Sequence, residues 1–129
     1  MKRILVVEDD NSLSVLLRLI MKVQQEDWDV NSAATGVEAL AQVEKFQPDL
    51  ILLDIMMPEM DGLEVARRLH NDERYKDQKI VILSALSDPD TQRKALEAGV
   101  LEYWTKPISP DDLRDGMLRV LGTESIDLL

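Results

Sequence analysis

The sequence predicts an α/β fold, a parallel β-sheet with helices on both faces. Three observations lead there. Apolar runs and amphipathic segments alternate along nearly all of the 129 residues. The runs Ile4–Val7, Leu50–Leu53 and Ile80–Leu83 are apolar without alternation, as expected of parallel strands covered on both faces. Helix-start and helix-stop residues fall between the runs, where crossover helices belong.

Arg3–Val7 reads as the first strand. Ser12–Val23 reads as a helix with Leu13, Leu16, Leu17 and Ile20 on one face. Trp28–Ala33 is a weaker strand that sends Trp28, Val30 and Ser32 to one side. Thr35 caps a helix running to Phe46, with Val37, Leu40 and Val43 toward the core and Pro48 just past its end. Leu50–Leu53 is the third strand and Leu63–Leu69 a short helix. The polar run "HNDERYKDQK" reads as a loop or frayed helix end. After the strand Ile80–Leu83, Pro89 sits at a first helical position behind Asp88, and Gly99 stops that helix. Leu101–Thr105 is the fifth strand. "SPDD", Ser109–Asp112, has the form of a capping box opening a helix to Leu121.

One domain, residues 1–122, followed by a short tail, 123–129, fits this length. Apolar residues make up 45%, far from a disordered composition. Without cysteine there is no disulfide framework and no thiolate metal site. Lys2 and Arg3 precede an apolar run, but that run is short and stops at acids, which argues against an export signal. No segment reaches membrane-spanning length, so the expected location is cytoplasmic. The net charge of −10 argues against direct nucleic-acid binding.

Ligands of open parallel sheets bind outside the carboxyl ends of the strands. The first strand delivers Glu8, Asp9 and Asp10 to that edge, the third Asp54, the fourth Ser84, and the fifth leads to Lys106. Asp10 reads as a solvated or helix-capping acid. Glu8, Asp9 and Asp54 are harder to explain as ordinary loop polars, since like charges about 4 Å apart repel by roughly 4 kcal/mol near a protein surface. A divalent cation would relieve that repulsion, and an all-oxygen set suits Mg²⁺, with Mn²⁺ as the alternative. A carboxylate beside a metal and a lysine suggests phosphoryl chemistry, with aspartate as nucleophile and an acyl phosphate as product.

The stretches "VVEDD", "DIMMPEMDG", "LSA" and "TKP" stand in this order, with Ser84 30 and Lys106 52 residues beyond Asp54 (84 − 54 and 106 − 54). In this the chain, over residues 2–121, resembles the receiver domain of bacterial two-component response regulators. The resemblance implies a flavodoxin-like (βα)5 sheet of order 2-1-3-4-5. It implies Asp54 as phosphoacceptor, Asp9 as direct metal ligand, Glu8 as the second acid and Met56 as a backbone-carbonyl ligand. It makes Lys106 the partner of the phosphoryl group, and Ser84 and Tyr103 a switch pair of hydroxyl and aromatic ring. Pro58, Gly62 and the Lys106–Pro107 bond suit the loop geometry. Met56 and Leu86, two residues beyond Asp54 and Ser84, flank the path of a hydrolytic water, and their apolar cover implies slow loss of phosphate. Val100 and Ile108 depart from the family's usual alanine and phenylalanine.

The implied function is a phosphorylation-operated switch, an enzyme at most through weak self-phosphotransfer and autophosphatase activity. Its partners would be a histidine kinase or histidine phosphotransfer protein, and a downstream protein, output domain or second copy. The latter would read the face of the fourth helix, fifth strand and fifth helix. An aspartate-nucleophile phosphatase would want an acid at Met56. An FMN carrier would want a glycine- and hydroxyl-rich loop in place of "EDDNS", and a receiver-like module that is never phosphorylated would not need the full acid, serine and lysine set. His70 reads as a surface histidine away from the strand rim, the loop methionines as packing, Trp104 as core and Tyr103 as half-exposed.

Overall fold

The computed structural model describes residues 1–24 and 27–122. The tail expected at 123–129 lies outside the described residues. Along these residues run β1 (Arg3–Val7), α1 (Asn11–Gln24), β2 (Asp29–Ala33), α2 (Gly36–Phe46), β3 (Leu50–Leu53) and α3 (Gly62–His70). There follow a 3₁₀ turn (Glu73–Tyr75), β4 (Ile80–Ser84), α4 (Pro89–Glu97), β5 (Glu102–Thr105) and α5 (Pro110–Leu121). The sheet is parallel, in the order β2-β1-β3-β4-β5.

Period-two alternation along the three central strands divides the core between the two faces of the sheet. Leu5, Val7, Ile51, Leu53, Ile80 and Ile82 face α2, α3 and α4, meeting Val43, Val65, Leu69 and Ala95. Ile4, Val6, Leu50, Leu52, Val81 and Leu83 face α1 and α5, meeting Leu17, Met21, Leu113 and Met117. Each of the large aliphatic side chains contributes about 1.5–3 kcal/mol of burial. Since both faces are filled, the central strands tolerate no polar residue until their carboxyl ends.

The helix starts follow their capping residues. Thr35, Asp61, Asp88 and Ser109 each accept a hydrogen bond from the backbone N–H three residues on, satisfying a donor the helix leaves open. Helix faces differ from expectation by one position. In α1 the buried residues are Ser14, Leu17 and Met21, and Leu16 is half-exposed. In α2 Ala39 and Val43 are buried and Val37 is in solvent at 65% exposure, because α2 enters with Gly36 against Met60 and Val65. Trp104 is only partly buried: β5 is the edge strand, and its indole lies over Gly116 of α5, covered on that side alone. The polar run after α3 holds the 3₁₀ turn, capped by Asp72, with Tyr75 packed against the core.

Candidate functional site

Strand order reverses between β1 and β3, so the crevice at their carboxyl ends is the natural ligand position of this sheet. Register brings the acids together. Val7 pairs with Leu53, so the residues that follow, Glu8 and Asp54, emerge side by side. The ladder continues one step further: Asp54 N–H donates to the Val7 carbonyl and Glu8 N–H to that of Ala33, both at 3.0 Å. The acids are thus held by backbone belonging to the rigid core.

Glu8 and Asp54 are buried, at 4% and 6% exposure, and Asp9 is exposed. One carboxylate oxygen from each of the three lies within 4.8 Å of the others. Lys106 reaches them from beyond β5, its Nζ 2.8 Å from Glu8 Oε1 and 3.7 Å from Asp54 Oδ1. Burial pushes the Glu8 carboxyl above the usual range, and the nearby Asp54 charge adds to this. The hydrogen bond from Lys106 and the Asp10 N–H work the other way. Burial likewise raises Asp54, with Asp9 adding, against Lys106 and the N–H groups of Ile55 and Met56. Two buried carboxyls and one ammonium, with exposed Asp9 beside them, crowd acidic groups into this crevice. Hard oxygen donors this close suit a small divalent cation.

Ser84, fully buried, ends β4, and its Oγ accepts from the Leu86 N–H at 3.2 Å. Tyr103, half-buried on the α4 side of β5, donates its hydroxyl to the Leu86 carbonyl at 2.6 Å. Burial raises its phenol. Ser84 and Tyr103 thus converge on one peptide segment leading into α4. Lys106 N–H donates to the Ser84 carbonyl at 2.9 Å, and Lys106–Pro107 is cis.

The loop after β3 closes the crevice. Met56 is 57% exposed, whereas Met57 is buried. Met60 N–H donates to the Pro58 carbonyl, and Gly62 N–H to that of Ile55. Gly62 is required by close approach: a Cβ there would lie 2.1 Å from the Asp54 carbonyl oxygen. Asp10 caps α1, its Oδ1 accepting from Leu13 N–H at 3.1 Å, as expected.

Every sequence-predicted site residue lies along this edge of the sheet. Two features were not read from the sequence. One is the Glu8–Lys106 ion pair, across 98 residues of chain. The other is the Leu86 backbone, which serves as the acceptor for Tyr103; backbone partners leave no mark in residue types.

Among the described residues, no helix is long and apolar enough to cross a membrane. The model of the response regulator receiver domain family matches residues 4–117. The DNA-binding dual master transcriptional regulator RpaA of Synechocystis is 34% identical over 88% of this chain, which covers 46% of that protein. Sporulation initiation phosphotransferase F of Bacillus subtilis is 33% identical, with 96% of this chain and 97% of that protein covered. The chain thus spans about half the length of the first relative and nearly all of the second. A CheY-like receiver domain from Methanospirillum hungatei JF-1 superposes with a TM-score of 0.87 at 30% identity, covering 97% of each chain. Its sheet order, its acidic crevice and these similarities place the chain in the response regulator receiver domain family of two-component signalling.

Proposed function

We propose that Asp54 is the phosphoacceptor of this receiver domain and that the domain spans residues 1–122. Receiver domains are generally phosphoacceptor switches that bind Mg²⁺ at an acidic pocket and interact with histidine kinases and output domains. The observation that carries the assignment is the convergence of Asp54 with Glu8 and Asp9 within 4.8 Å, with Lys106 3.7 Å from Asp54.

An Asp54 carboxylate oxygen attacks the phosphorus of a phosphohistidine. The new O–P bond forms as the P–N bond breaks, and the departing imidazole takes up a proton. Asp54 is held for this by the ladder bond to Val7 and by the Ile55 N–H at 2.9 Å. Glu8, Asp9, Asp54 and the Met56 backbone carbonyl would hold Mg²⁺ or Mn²⁺, which supplies positive charge to the phosphoryl oxygens. Lys106 supplies the other cation, and the Ser84 hydroxyl donates to a phosphoryl oxygen. Turning toward the phosphate, Ser84 gives up its bond from Leu86, and Tyr103 follows because both share that segment. The resulting repacking biases the α4–β5–α5 face.

The phosphoryl donor is a histidine kinase or histidine phosphotransfer protein. The reader of the face is a downstream protein, an attached output domain or a second copy of the chain. The domain works in the cytoplasm as a switch, with no more than weak self-phosphotransfer and autophosphatase activity. Intact mass after incubation with acetyl phosphate, with and without Mg²⁺, tests the assignment. One phosphoryl group is expected on wild type with Mg²⁺ only, and none on Asp54→Asn. A phosphoryl group on the variant would move the acceptor elsewhere.

A further inference from the structure

We infer that Met56 is an oxidation site through which a peroxide, as two-electron oxygen donor, shortens the life of a phosphoryl group on Asp54. The chain holds six methionines and no cysteine, so thioethers are its only sulfur. Burial divides them. Met21, Met57 and Met117 are buried in the two halves of the core. Met60 is partly buried, with its sulfur against Gly36 at the start of α2, 3.0 Å from where a Cβ would stand. Met1 and Met56 are the exposed pair, at 86% and 57%. Susceptibility of a methionine follows its exposure, so an oxidant in solution reaches these two first.

Position gives one of the two a consequence. Met56 stands between buried Ile55 and buried Met57, in the loop that closes the crevice. Its N–H and that of Ile55 both reach the Asp54 carboxylate, so its own backbone holds it beside the reactive group. The acids of the crevice do not keep the oxidant away, because hydrogen peroxide is uncharged. A thioether has no proton to lose, so its oxidation needs no base and no change in the charge of Glu8, Asp9 or Lys106.

A sulfur lone pair attacks one oxygen of the peroxide. The S–O bond forms as the O–O bond breaks, and the second oxygen leaves with both protons as water. Sulfur loses two electrons and the peroxide gains them, so one peroxide turns one thioether into one sulfoxide. The step is reversible by different chemistry: two thiols return the thioether, giving a disulfide and water, under a methionine sulfoxide reductase for each epimer. The sulfoxide oxygen is a strong hydrogen-bond acceptor where the thioether sulfur is a weak one. It accepts from a water beside Asp54 and holds it toward the phosphorus, which the unmodified side chain does not do. The Met56 backbone is untouched, so the change falls on hydrolysis and not on acceptance of the phosphoryl group. This inference rests on Asp54 as the phosphoacceptor.

The test treats the folded chain with hydrogen peroxide and locates the added oxygen by peptide mass mapping. Met1 and Met56 are expected to take it, with Met21, Met57 and Met117 unmodified. Treated and untreated protein are then labelled with acetyl phosphate and Mg²⁺, and intact mass follows the phosphorylated species after the donor is removed. Treated protein is expected to lose its phosphoryl group about fivefold faster, the effect of one added hydrogen bond. The two reductases with dithiothreitol should restore the slow decay. Met56→Leu should take oxygen at Met1 and decay at one rate with or without peroxide. Equal decay in treated and untreated wild type, or the same acceleration in Met56→Leu, would overturn the inference while leaving Asp54 as acceptor. So would oxygen on the buried methionines as readily as on Met56. Untreated protein that takes no phosphoryl group would instead overturn the acceptor assignment, and this inference with it.

Discussion

Met56 is the side chain expected to govern how long a phosphoryl group on Asp54 would last. It stands two residues beyond Asp54 with more than half its surface in solvent and no polar atom able to orient water. Hydrolysis of an aspartyl phosphate needs a water held in line with the O–P bond, and orientation of that kind contributes substantially to rate. Asparagine at this position offers both a donor and an acceptor. Met56→Asn is therefore expected to lose phosphate about tenfold faster, equivalent to about 1.4 kcal/mol off the barrier. The decay of phosphorylated protein after removal of the donor reads this directly, and an unchanged or slower decay contradicts it. At this scale the sequence was informative wherever residue type determines chemistry. The acids, Ser84, Lys106 and Tyr103 are visible as letters at fixed intervals. Their pairing is not: nothing in the letters says that Lys106 sits nearer to Glu8 than to Asp54. Nor do they show that His70, expected at the surface, meets two carbonyls.

Among the elements, the strands were legible because burial on both faces forces an uninterrupted apolar run, a strong signal even in four residues. The helix starts were legible because capping is chemically specific, as at Thr35 and at Asp88 with Pro89 behind it. Helix faces were less so. Leu16 and Val37 look like core residues by type, yet Ser14 and Ala39 are buried in their helices instead, because small side chains let a helix approach the sheet closely. A 100° rotation per residue separates these readings, and only tertiary packing settles it. Close approach also governs the junction of β3 and α3. Gly62 lies so near the Asp54 carbonyl that even a methyl group must displace backbone, not a flexible side chain. Gly62→Ala is expected to destabilise the fold by about 3 kcal/mol or more and to disturb Asp54 itself. Denaturant unfolding measures the first effect, and loss of acetyl phosphate labelling in the remaining folded protein the second. A cost under about 1 kcal/mol would mean that the loop relaxes freely.

Over the whole molecule, the crevice trades stability for function, and pH exposes the trade. Glu8 and Asp54 both have carboxyls raised above their ordinary range, chiefly by burial. A group whose folded value is raised stabilises the fold below its unfolded value, and that stability is lost as pH rises through the folded value. Near neutral pH, without divalent ions, the pair therefore works against folding, and acidification toward the carboxylate range should first strengthen the protein. The surface acids Asp72, Asp88 and Asp90 act in the opposite sense. Their hydrogen bonds with Arg74, Thr91 and Arg93 respectively hold them low, so their stabilisation is lost only at more acid pH. A divalent cation that binds the folded crevice alone adds about 2.7 kcal/mol at a hundredfold excess over its dissociation constant. Since it competes with protons for Glu8 and Asp54, this gain must shrink as pH falls. Melting curves with Mg²⁺ and with chelator, from about pH 7 to about pH 5, should therefore converge toward the acid end. Asp54→Asn removes one buried charge and leaves Lys106 its bond to Glu8. The variant should melt higher than wild type in chelator, show a flatter pH dependence and lose most of the Mg²⁺ gain. A Mg²⁺ gain independent of pH, or one undiminished in Asp54→Asn, would show that the cation acts somewhere other than this crevice.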